Sequence, residues 1–335
     1  MGVYIIAEAG VNHNGDIDIA LQMIDKAKEC GVDCIKFQTF KTEKLVTKDA
    51  KKAEYQVLNT ENADSQFSML KALELSFEDF KILKEHCDEV GIDFMSTPFD
   101  MESVDVLEKL GVKEYKMSSG DITNKQLLEY VASKNKPMII STGMCDMDEV
   151  KEAVGWIENM GNKDITLLHC TSNYPAPYEE VNMLSMLTLK NAFPYPVGYS
   201  DHTKGVIIPI TAVAMGAKVI EKHFTLDKNM KGPDHKASLD VAELKDMVDA
   251  IRIVEVSKGD GIKAPAKSEL STRSVARKSI VAKAAKRKGD VLTSDDITIK
   301  RPGDGIPPKY MDEIIGKELV RDIAQDELLQ FEDLK

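Results

Sequence analysis

Two histidines close neighbouring β-rich runs of the sequence, in a pattern that suits a divalent-metal site. Glu221 and His223 stand two positions apart in V-I-E-K-H-F-T (219–225), so their side chains point to the same face of a strand. His202 lies near the end of the preceding run, V-G-Y-S-D-H-T (197–203). Two imidazoles from adjacent strands can share an ion and leave positions open for substrate and water. A single histidine is more often a packed or surface residue, so it is the pair that favours a metal.

Two lysines and several hydroxyl groups stand at equivalent places in the other runs. Lys36 and Lys116 occupy β-like, half-buried contexts. Lysines surrounded by hydroxyl donors suit a phosphate or a carboxylate. A Schiff-base lysine, as in barrel aldolases, is an alternative interpretation, and either lysine taken alone could be a surface residue. The hydroxyl groups belong to Thr97, Ser119, Ser141 and Ser200.

Eight β-rich runs, alternating with amphipathic helical patterns, must position these side chains. Polar residues are concentrated in the last half of each run. Eight such units in about 250 residues fit a (β/α)₈ TIM barrel, in which chemistry takes place at the C-terminal ends of the strands. A doubly wound open sheet alternates in the same way, but no G-x-G-x-x-G follows the first run, which disfavours its dinucleotide-binding form. The runs span residues 3–9, 34–40, 93–99, 114–120, 137–143, 165–171, 197–203 and 219–225.

The segments between and after the runs predict the domain organisation. The loop over 41–75 is long and polar, as loops that cover active sites often are. The alternation ends at Gly259, which predicts a catalytic barrel over 1–259, a linker over 260–273 and a small β-containing module over 274–335. A module of about 60 residues has little core of its own. We therefore expect it to dock on another surface.

Composition narrows the class of partner. The chain has 335 residues with 44 Lys and Arg against 56 Asp and Glu, a net charge of −12, which argues against nucleic acid. No apolar run approaches the roughly 20 residues that span a bilayer, and the N-terminus shows no export signal. The five cysteines include no C-x-x-C pair, which is typical of free thiols in a reducing compartment. We expect a cytoplasmic protein that acts on small molecules.

Ten short motifs, in order along nearly the whole chain, carry a family resemblance. Each is weak alone, but the set is specific. Together they resemble the sialic acid synthase family, which has a TIM barrel followed by a small antifreeze-like (SAF) domain. The motifs are E-A-G-V-N-H-N-G (8–15), K-F-Q-T-F (36–40), S-T-P-F-D (96–100), Y-K-M-S-S-G-D (115–121), S-T-G-M (141–144), L-H-C-T-S-N-Y-P-A-P (168–177), G-Y-S-D-H-T (198–203), E-K-H-F-T-L-D (221–227), G-P-D-H-K-A-S (232–238) and K-R-P-G-D-G (300–305).

The resemblance implies a synthase that joins phosphoenolpyruvate to an acetamido sugar. With N-acetylmannosamine the product is N-acetylneuraminate, a nine-carbon α-keto acid, and phosphate is released. With 2,4-diacetamido-2,4,6-trideoxymannose the product is N,N'-diacetyllegionaminate, and the sequence leaves both acceptors open. The resemblance also implies a divalent ion, Mn²⁺ or Mg²⁺. A Schiff-base aldolase and a non-catalytic carbohydrate-binding protein, the latter suggested by the antifreeze-like tail, are the alternatives.

The resemblance also implies a role for individual residues of this chain. Arg301 of the small domain would reach the active site of a partner subunit, which implies a domain-swapped homodimer. At two positions the chain departs from the family pattern: Asp121 stands where relatives often have glutamate, and Ser172 where some have asparagine. The implied metal ligands are His202 and His223; the acidic residues near the metal and the attacking water are Glu8 and Glu221; the phosphoenolpyruvate contacts are Lys36, Thr97, Lys116, Ser119, Ser141 and Ser200; the sugar contacts are Gln38, Asn62, Tyr174 and Asp234.

Overall fold

The first 259 residues fold as a barrel of eight parallel strands. A computed structural model describes residues 2–60 and 65–335 and divides the chain into two compact units, 1–259 and 260–335. The strands are β1 (Tyr4–Gly10), β2 (Cys34–Thr39), β3 (Asp93–Pro98), β4 (Tyr115–Met117), β5 (Met138–Ser141), β6 (Ile165–Cys170), β7 (Val197–Asp201) and β8 (Val219–His223). They are hydrogen-bonded in the order β3-β2-β1-β8-β7-β6-β5-β4, and β3 packs beside β4, so the sheet nearly closes. The predicted TIM barrel is confirmed, and the open-sheet alternative is wrong.

Helices surround the barrel, and the long loop after β2 contains three short ones. No helix of the described residues is both long and apolar enough to cross a membrane. The helices of this unit are α1 (Ile17–Cys30), α2 (Thr42–Leu45), α3 (Glu54–Thr60), α4 (Gln66–Leu73), α5 (Phe77–Val90), α6 (Met101–Lys109), α7 (Lys125–Ala132), α8 (Met147–Asn159), α9 (Leu184–Ala192), α10 (Ile207–Ala214) and α11 (Val241–Ser257).

Local signals in the sequence explain where the helices begin and end. The Asp16 side chain accepts hydrogen bonds from the first free amides of α1, and Gly31 ends that helix with φ +81°. Ser76 and Asp79 form a reciprocal capping box at the start of α5, and Gly91 ends it in the left-handed region. A side-chain cap satisfies amides that the helix itself leaves unpaired, and glycine adopts positive φ without the steric penalty of a Cβ.

The apolar core lies in two layers. The larger layer fills the space between the strands and the helices. The smaller one fills the interior of the barrel, as expected for a packed TIM barrel. It comprises Ile6, Cys34, Met95, Ile139, Leu168 and Val219. With apolar side chains filling this part of the interior, the polar residues that the strands carry are gathered at the strands' C-terminal ends.

The second unit is a small module with its own core. Its strands β9 (Ser279–Ala282) and β10 (Ile297–Lys300) pair antiparallel, and its helices are α12 (Leu270–Ala276) and α13 (Met311–Ile314). The segment that we predicted as a linker, 260–273, is helical where α12 begins. The core of the module consists of Ile280, Ala282, Leu292, Ile297, Ile306, Ile314, Leu319, Ile323 and Leu329.

Candidate active site

The strand register brings the predicted charged residues to one mouth of the barrel. Glu8 of β1 lies opposite Lys36 of β2 on one side and His223 of β8 on the other. Ser200 of β7 lies opposite Glu221 of β8. These side chains face a cavity of about 480 Å³. Of the predicted site residues, the cavity wall contains Glu8, Lys36, Gln38, Thr97, Lys116, Ser119, Ser141, Tyr174, Ser200, His202, Glu221 and His223.

Of the other three predicted residues, two are described by the structure and are not in this cavity wall. Asp234 lines a smaller cavity next to the first. Arg301 is an exposed residue of the second unit. Asn62 lies outside the residues that the structure describes. The sugar contact predicted for Asn62 and the role predicted for Arg301 therefore stay predictions.

Two lysines and two carboxylates form a buried cluster at the base of the cavity. Lys36 Nζ lies 2.7 Å from Glu8 Oε2 and 3.8 Å from Glu221 Oε2, and Lys116 Nζ lies 3.5 Å from Glu221 Oε1. All four side chains are buried. Buried charges are tolerated when they are paired. With the carboxylates ionised the cluster has no net charge, so an anion that binds here needs further positive charge.

The two carboxylates differ in proton affinity. Burial raises the pKa of Glu8, and the neighbouring Lys36 does not fully offset that effect. Burial also acts on Glu221, but Lys116, Lys36 and a hydrogen bond from Ser200 outweigh it and lower the pKa of that carboxyl. Glu221 therefore stays ionised, and Glu8 is the carboxylate that can exchange a proton near neutral pH.

Hydroxyl groups complete the polar surroundings of the lysines. Lys36 donates to Thr97 Oγ1 at 3.1 Å, and Lys116 donates to Ser141 Oγ at 2.7 Å. The Gly143 amide donates to Ser119 Oγ at 2.9 Å. A lysine held by hydroxyl groups presents its remaining N–H groups in fixed directions. This arrangement suits the oxygens of a phosphate or carboxylate.

The two predicted metal ligands are neighbours. The ring centroids of His202 and His223 are 5.5 Å apart. His202 Nδ1 lies 2.7 Å from the Thr171 carbonyl oxygen, to which it donates, so its Nε2 carries the lone pair. His223 Nδ1 is buried without a hydrogen-bond partner. Burial lowers the pKa of both rings. Two neutral imidazoles with free lone pairs fit a divalent ion.

Protein side chains alone do not complete a coordination shell. Within residues 2–60 and 65–335, no group of three or more His, Cys, Asp or Glu side chains is placed to hold an ion. Metal–imidazole bonds are about 2.1 Å long, so two rings at this separation can reach one ion. The other ligands would be water and substrate, as in catalytic sites that keep open positions.

A glycine at a strand bulge lets the charged groups approach. The register of β1 against β2 shifts between Glu8 and Gly10, and Gly10 has φ +54°. A Cβ on Gly10 would lie 3.2 Å from Glu8 Oε1, 3.5 Å from Gln38 Nε2 and 3.6 Å from His223 Cε1. Bulges of this kind redirect side chains next to active sites. Gly10 thus allows these three residues to converge.

Family models match both parts of the chain. The model of the NeuB family matches residues 23–263, and the model of the SAF domain matches residues 277–335. The chain belongs to the NeuB family. The resemblance to sialic acid synthases and the SAF domain that it implied are confirmed.

Relatives of this NeuB-family chain are synthases of sialic-acid-type sugars. The N,N'-diacetyllegionaminic acid synthase of Legionella pneumophila subsp. pneumophila is 48% identical over 339 residues, 100% of this chain and 95% of the relative. The human N-acetylneuraminate-9-phosphate synthase is 38% identical over 331 residues, 98% of this chain and 92% of the relative. The crystal structure of the N-acetylneuraminic acid synthetase of Leptospira borgpetersenii, in complex with citrate, matches with a TM-score of 0.73 and 35% identity over 81% of this chain and 90% of that one.

Some residues at the site were missed by the sequence analysis. Tyr55 and Leu70 come from the loop after β2 and line both cavities, and Cys170 lines the larger one. The length of that loop was the signal available for Tyr55 and Leu70. The hydrophobic pattern of the strand did not mark Cys170 as a site residue, because a free cysteine behaves as a small apolar side chain and fits the core of a strand equally well.

The chain departs from the family pattern at Asp121 and Ser172, and only one of these two residues lines the large cavity. Ser172 lines the large cavity. A Cβ on Gly143 would lie 2.3 Å from Ser172 Oγ, so this hydroxyl packs against the Gly143 backbone. Asp121 is half-buried and contacts Asn124, and it is not part of the cavity wall among the described residues.

Proposed function

We propose that this protein condenses phosphoenolpyruvate with an acetamido sugar of the mannosamine type. The products are a nine-carbon α-keto acid of the sialic acid class and phosphate. The observation that carries the proposal is the buried cluster of Lys36, Lys116, Glu8 and Glu221 beside the His202–His223 pair at one barrel mouth. Family membership and the names of the relatives support the same activity.

The lysines are suited to hold phosphoenolpyruvate. Both Nζ atoms are buried and held by hydroxyl groups, so little ordering is needed when an anion binds. The substrate is a trianion, whereas the cluster has no net charge as long as both carboxylates are ionised. Charge balance therefore calls for further cations at the mouth, and a divalent ion and an arginine would supply them.

We assign the divalent ion, Mn²⁺ or Mg²⁺, to His202 and His223. When bound, such an ion supplies Lewis-acid polarisation of an oxygen atom. His202 and His223 would hold the ion as neutral imidazoles, each with a nitrogen lone pair directed toward it. The Thr171 carbonyl does this for His202 by fixing its tautomer. Two imidazoles and oxygen ligands suit either ion.

The reaction forms one carbon–carbon bond, and a carbon–oxygen bond from water replaces the one to phosphate. The methylene carbon of phosphoenolpyruvate attacks the aldehyde carbon of the open-chain sugar, and the aldehyde oxygen takes up a proton. Water adds to the resulting cationic carbon and gives up one proton, which gives a tetrahedral intermediate that carries a hydroxyl and the phosphate ester. This intermediate collapses to the keto group: the hydroxyl loses its proton while phosphate leaves with its bridging oxygen and takes up a proton. Glu8, whose pKa is raised by burial, exchanges these protons. Glu221 stays ionised and holds the two lysines in place.

Two acceptors fit this proposal. N-acetylmannosamine would give N-acetylneuraminate. The second candidate is 2,4-diacetamido-2,4,6-trideoxymannose, which would give N,N'-diacetyllegionaminate. The second is favoured by the 48% identity, over the full length of the chain, to a relative named for that product.

We also propose a domain-swapped homodimer in the cytoplasm, with Arg301 acting in the site of the partner. Large apolar side chains are exposed in loops and helix starts that follow β5, β6 and β7 of the first unit, a surface that a second copy would cover. All five cysteines are free, as suits a reducing compartment. The exposed side chains are Met144, Tyr178, Leu184 and Ile207.

The test is a phosphate-release assay with phosphoenolpyruvate and a panel of acetamido sugars, each with and without Mn²⁺ or Mg²⁺. We expect sugar-dependent release that a chelator abolishes. Borohydride trapping of Lys36 or Lys116 with pyruvate would instead support a Schiff-base aldolase. No release with any sugar would favour a carbohydrate-binding protein.

A further inference from the structure

The hydrogen-bonded ladder between β7 and β8 ends just before the histidine pair. β7 ends at Asp201, which lies directly opposite Lys222 of β8. His202 therefore stands one residue beyond the end of its strand, whereas His223 is still the last residue of β8. Because the ladder stops at Asp201, contacts outside it must hold the two imidazoles at the 5.5 Å between their ring centroids.

An ion pair lies behind the two histidines. Lys222 stands between Glu221 and His223, which line the cavity, and successive side chains of a strand point to opposite faces. Its side chain therefore points toward the helices, where α10 packs against both strands. Lys222 Nζ lies 2.5 Å from Asp201 Oδ2, and both side chains are fully buried. The pair thus supports the backbone that carries the histidines and leaves the cavity itself free.

The ion pair also holds the residue that follows His202. The Thr203 amide donates to Asp201 Oδ1, and the Thr203 hydroxyl donates to Asp201 Oδ2, both at 3.1 Å. Lys222 Nζ donates to the Thr203 carbonyl oxygen, and Thr203 is fully buried. We call Asp201, Lys222 and Thr203 the buried clamp. It ties the backbone on both sides of His202 to β8.

Other contacts of His202 lead to a different strand. Its Nδ1 donates to the Thr171 carbonyl oxygen at 2.7 Å, and its own carbonyl oxygen accepts a hydrogen bond from the Ala176 amide at 2.9 Å. Thr171 and Ala176 belong to the segment that follows β6. These bonds fix His202 relative to β6, and the buried clamp adds the connection to β8, the strand that carries His223.

Stability alone gives no reason for a charged pair at this position. Moving two charges out of water costs free energy that their attraction repays only in part, and apolar residues of similar volume are often as stable or more stable. Apolar packing has no preferred direction, whereas hydrogen bonds have narrow ranges of length and angle. Two apolar side chains could fill the same space, but they could not bind the amide, hydroxyl and carbonyl groups of Thr203.

We propose that the buried clamp sets the separation and orientation of His202 and His223, so that its three members are positioning residues for the metal site. This inference rests on the divalent ion assigned to the two histidines in the proposed function. Metal–imidazole bonds are about 2.1 Å long, so a displacement of one ring relative to the other weakens binding. Residues that orient metal ligands typically contribute 10–100-fold in metal affinity.

Mn²⁺ binding by metal-stripped, full-length protein separates positioning from stability. The double variant Asp201→Leu, Lys222→Met leaves no charge unpaired, so its denaturation midpoint should stay near that of the wild type. We expect calorimetry to show Mn²⁺ binding about 10–100-fold weaker than in the wild type. A clamp that served stability alone would leave the Mn²⁺ affinity of this folded variant unchanged.

Two further variants complete the design. Leu83→Ala is the control for destabilisation: Leu83 is fully buried in α5, which packs against α1 and β3. Its truncation should lower the denaturation midpoint and keep the wild-type Mn²⁺ affinity. Thr203→Val is the second test if the double variant does not fold. It removes the hydroxyl donor, leaves the ion pair in place and should weaken Mn²⁺ binding by about tenfold.

The outcomes separate this inference from the proposed function. Wild-type Mn²⁺ affinity in the folded double variant, or in Thr203→Val if the double variant does not fold, would overturn the role of the buried clamp and leave the metal assignment in place. An equal loss of affinity in Leu83→Ala would overturn it as well. Absence of Mn²⁺ binding by the wild type would overturn both. Absence of phosphate release would end the proposed function, whatever the Mn²⁺ affinities are.

Discussion

At the scale of single residues, the candidate site depends on imidazoles and carboxylates whose pKa values are shifted by burial and by neighbouring charges. His202 and His223 are kept neutral, and Glu8 and Glu221 are driven in opposite directions by unequal access to lysine. Such divergence between neighbouring groups is typical of acid–base sites. Each group then has one function, which a substitution can remove.

His223→Ala should abolish activity. The variant loses one of two proposed metal ligands, and several kcal/mol of charge stabilisation correspond to a loss on the order of 10³-fold in turnover. His86→Ala is the control, because His86 pairs with Asp25 on the helical surface. Mn²⁺ binding by calorimetry and phosphate release should fall together for His223→Ala. Full turnover by metal-stripped His223→Ala protein would defeat the metal assignment.

Acceptor binding should weaken as pH falls through about 6. Burial raises the pKa of Asp234 to about 6, so its carboxylate is present above that pH and lost below it. The neighbouring Tyr55, Tyr174 and His223 do not compete, since burial raises the pKa of both phenols and lowers that of the imidazole.

The measurement for this prediction is the KM of each substrate between pH 5 and 8. The acceptor KM should rise by up to about tenfold per pH unit below 6, while the KM of phosphoenolpyruvate follows the cluster around Glu8 instead. Asp234→Asn should flatten the acceptor profile. An unchanged profile in that variant would contradict the role of this carboxylate.

At the scale of elements, the sequence predicted the strands better than their ends. All eight runs contain a strand. A short segment rich in β-branched and apolar residues, placed between two helical patterns, is typical of a buried strand. The run predicted over 114–120 forms a strand only at Tyr115–Met117. The chain leaves the ladder there because a 3₁₀ helix begins at Ser119, and the Ser118 hydroxyl caps it by accepting a hydrogen bond from the Gly120 amide.

The loop after β2 could not be resolved from sequence. Residues 41–75 were interpreted as a polar loop, yet they form α2, α3 and α4 and contribute Tyr55 and Leu70 to the cavity walls. Helices this short lack a clear 3.6-residue period, and their apolar residues pack on the barrel mouth rather than on the core. Asn12 was likewise not singled out, although it links Phe224 O and Ser238 Oγ across two loops.

The bulge in β1 should be intolerant of a side chain. In Gly10→Ala the methyl group meets Glu8 Oε1, and an L-residue at φ +54° costs about 1–2 kcal/mol. We expect a loss of that size in the free energy of unfolding, measured with urea, together with reduced turnover. Gly155→Ala in α8 is the control: an added Cβ meets nothing within 4 Å, so it should stabilise the protein by about 1 kcal/mol. Unaltered turnover in Gly10→Ala would show that the close approach is not needed.

A buried ion pair ties the ends of β7 and β8 together. Lys222 Nζ lies 2.5 Å from Asp201 Oδ2, and both side chains are fully buried on the helix-facing side of the strands. In the sequence, Asp201 comes directly before His202, and Lys222 comes directly before His223. Removing one partner leaves an uncompensated charge, so Lys222→Met should lower the free energy of unfolding by about 3–5 kcal/mol.

Replacing both partners gives the matched comparison. In the double variant Asp201→Leu, Lys222→Met no charge is left unpaired, and apolar replacement of a buried pair is often neutral or stabilising. Chemical denaturation should therefore show recovery of most of the loss. If the double variant is as unstable as Lys222→Met, the loss in free energy of unfolding comes from the altered packing of the side chains rather than from the unpaired charge.

At the scale of the whole molecule, the arginine proposed for the site lies in a different unit from the rest. The barrel supplies both lysines and both histidines, and Arg301 belongs to the module over 260–335. A barrel completed by a module from another copy would make each site depend on two chains, as closed two-fold assemblies allow. The dependence can be measured by combining two defective chains.

Heterodimers of His223→Ala and Arg301→Ala chains should regain activity. If the arginine acts on the partner, one site of the heterodimer has an intact barrel and receives an intact arginine, while the other lacks both. Co-expressed chains with two different tags, purified through both, should then show about half of wild-type turnover per dimer, whereas each homodimeric variant is strongly impaired. If the arginine acts within its own chain, neither site is complete and the heterodimer stays impaired. A single assay thus distinguishes exchange of the module from a site built within one subunit.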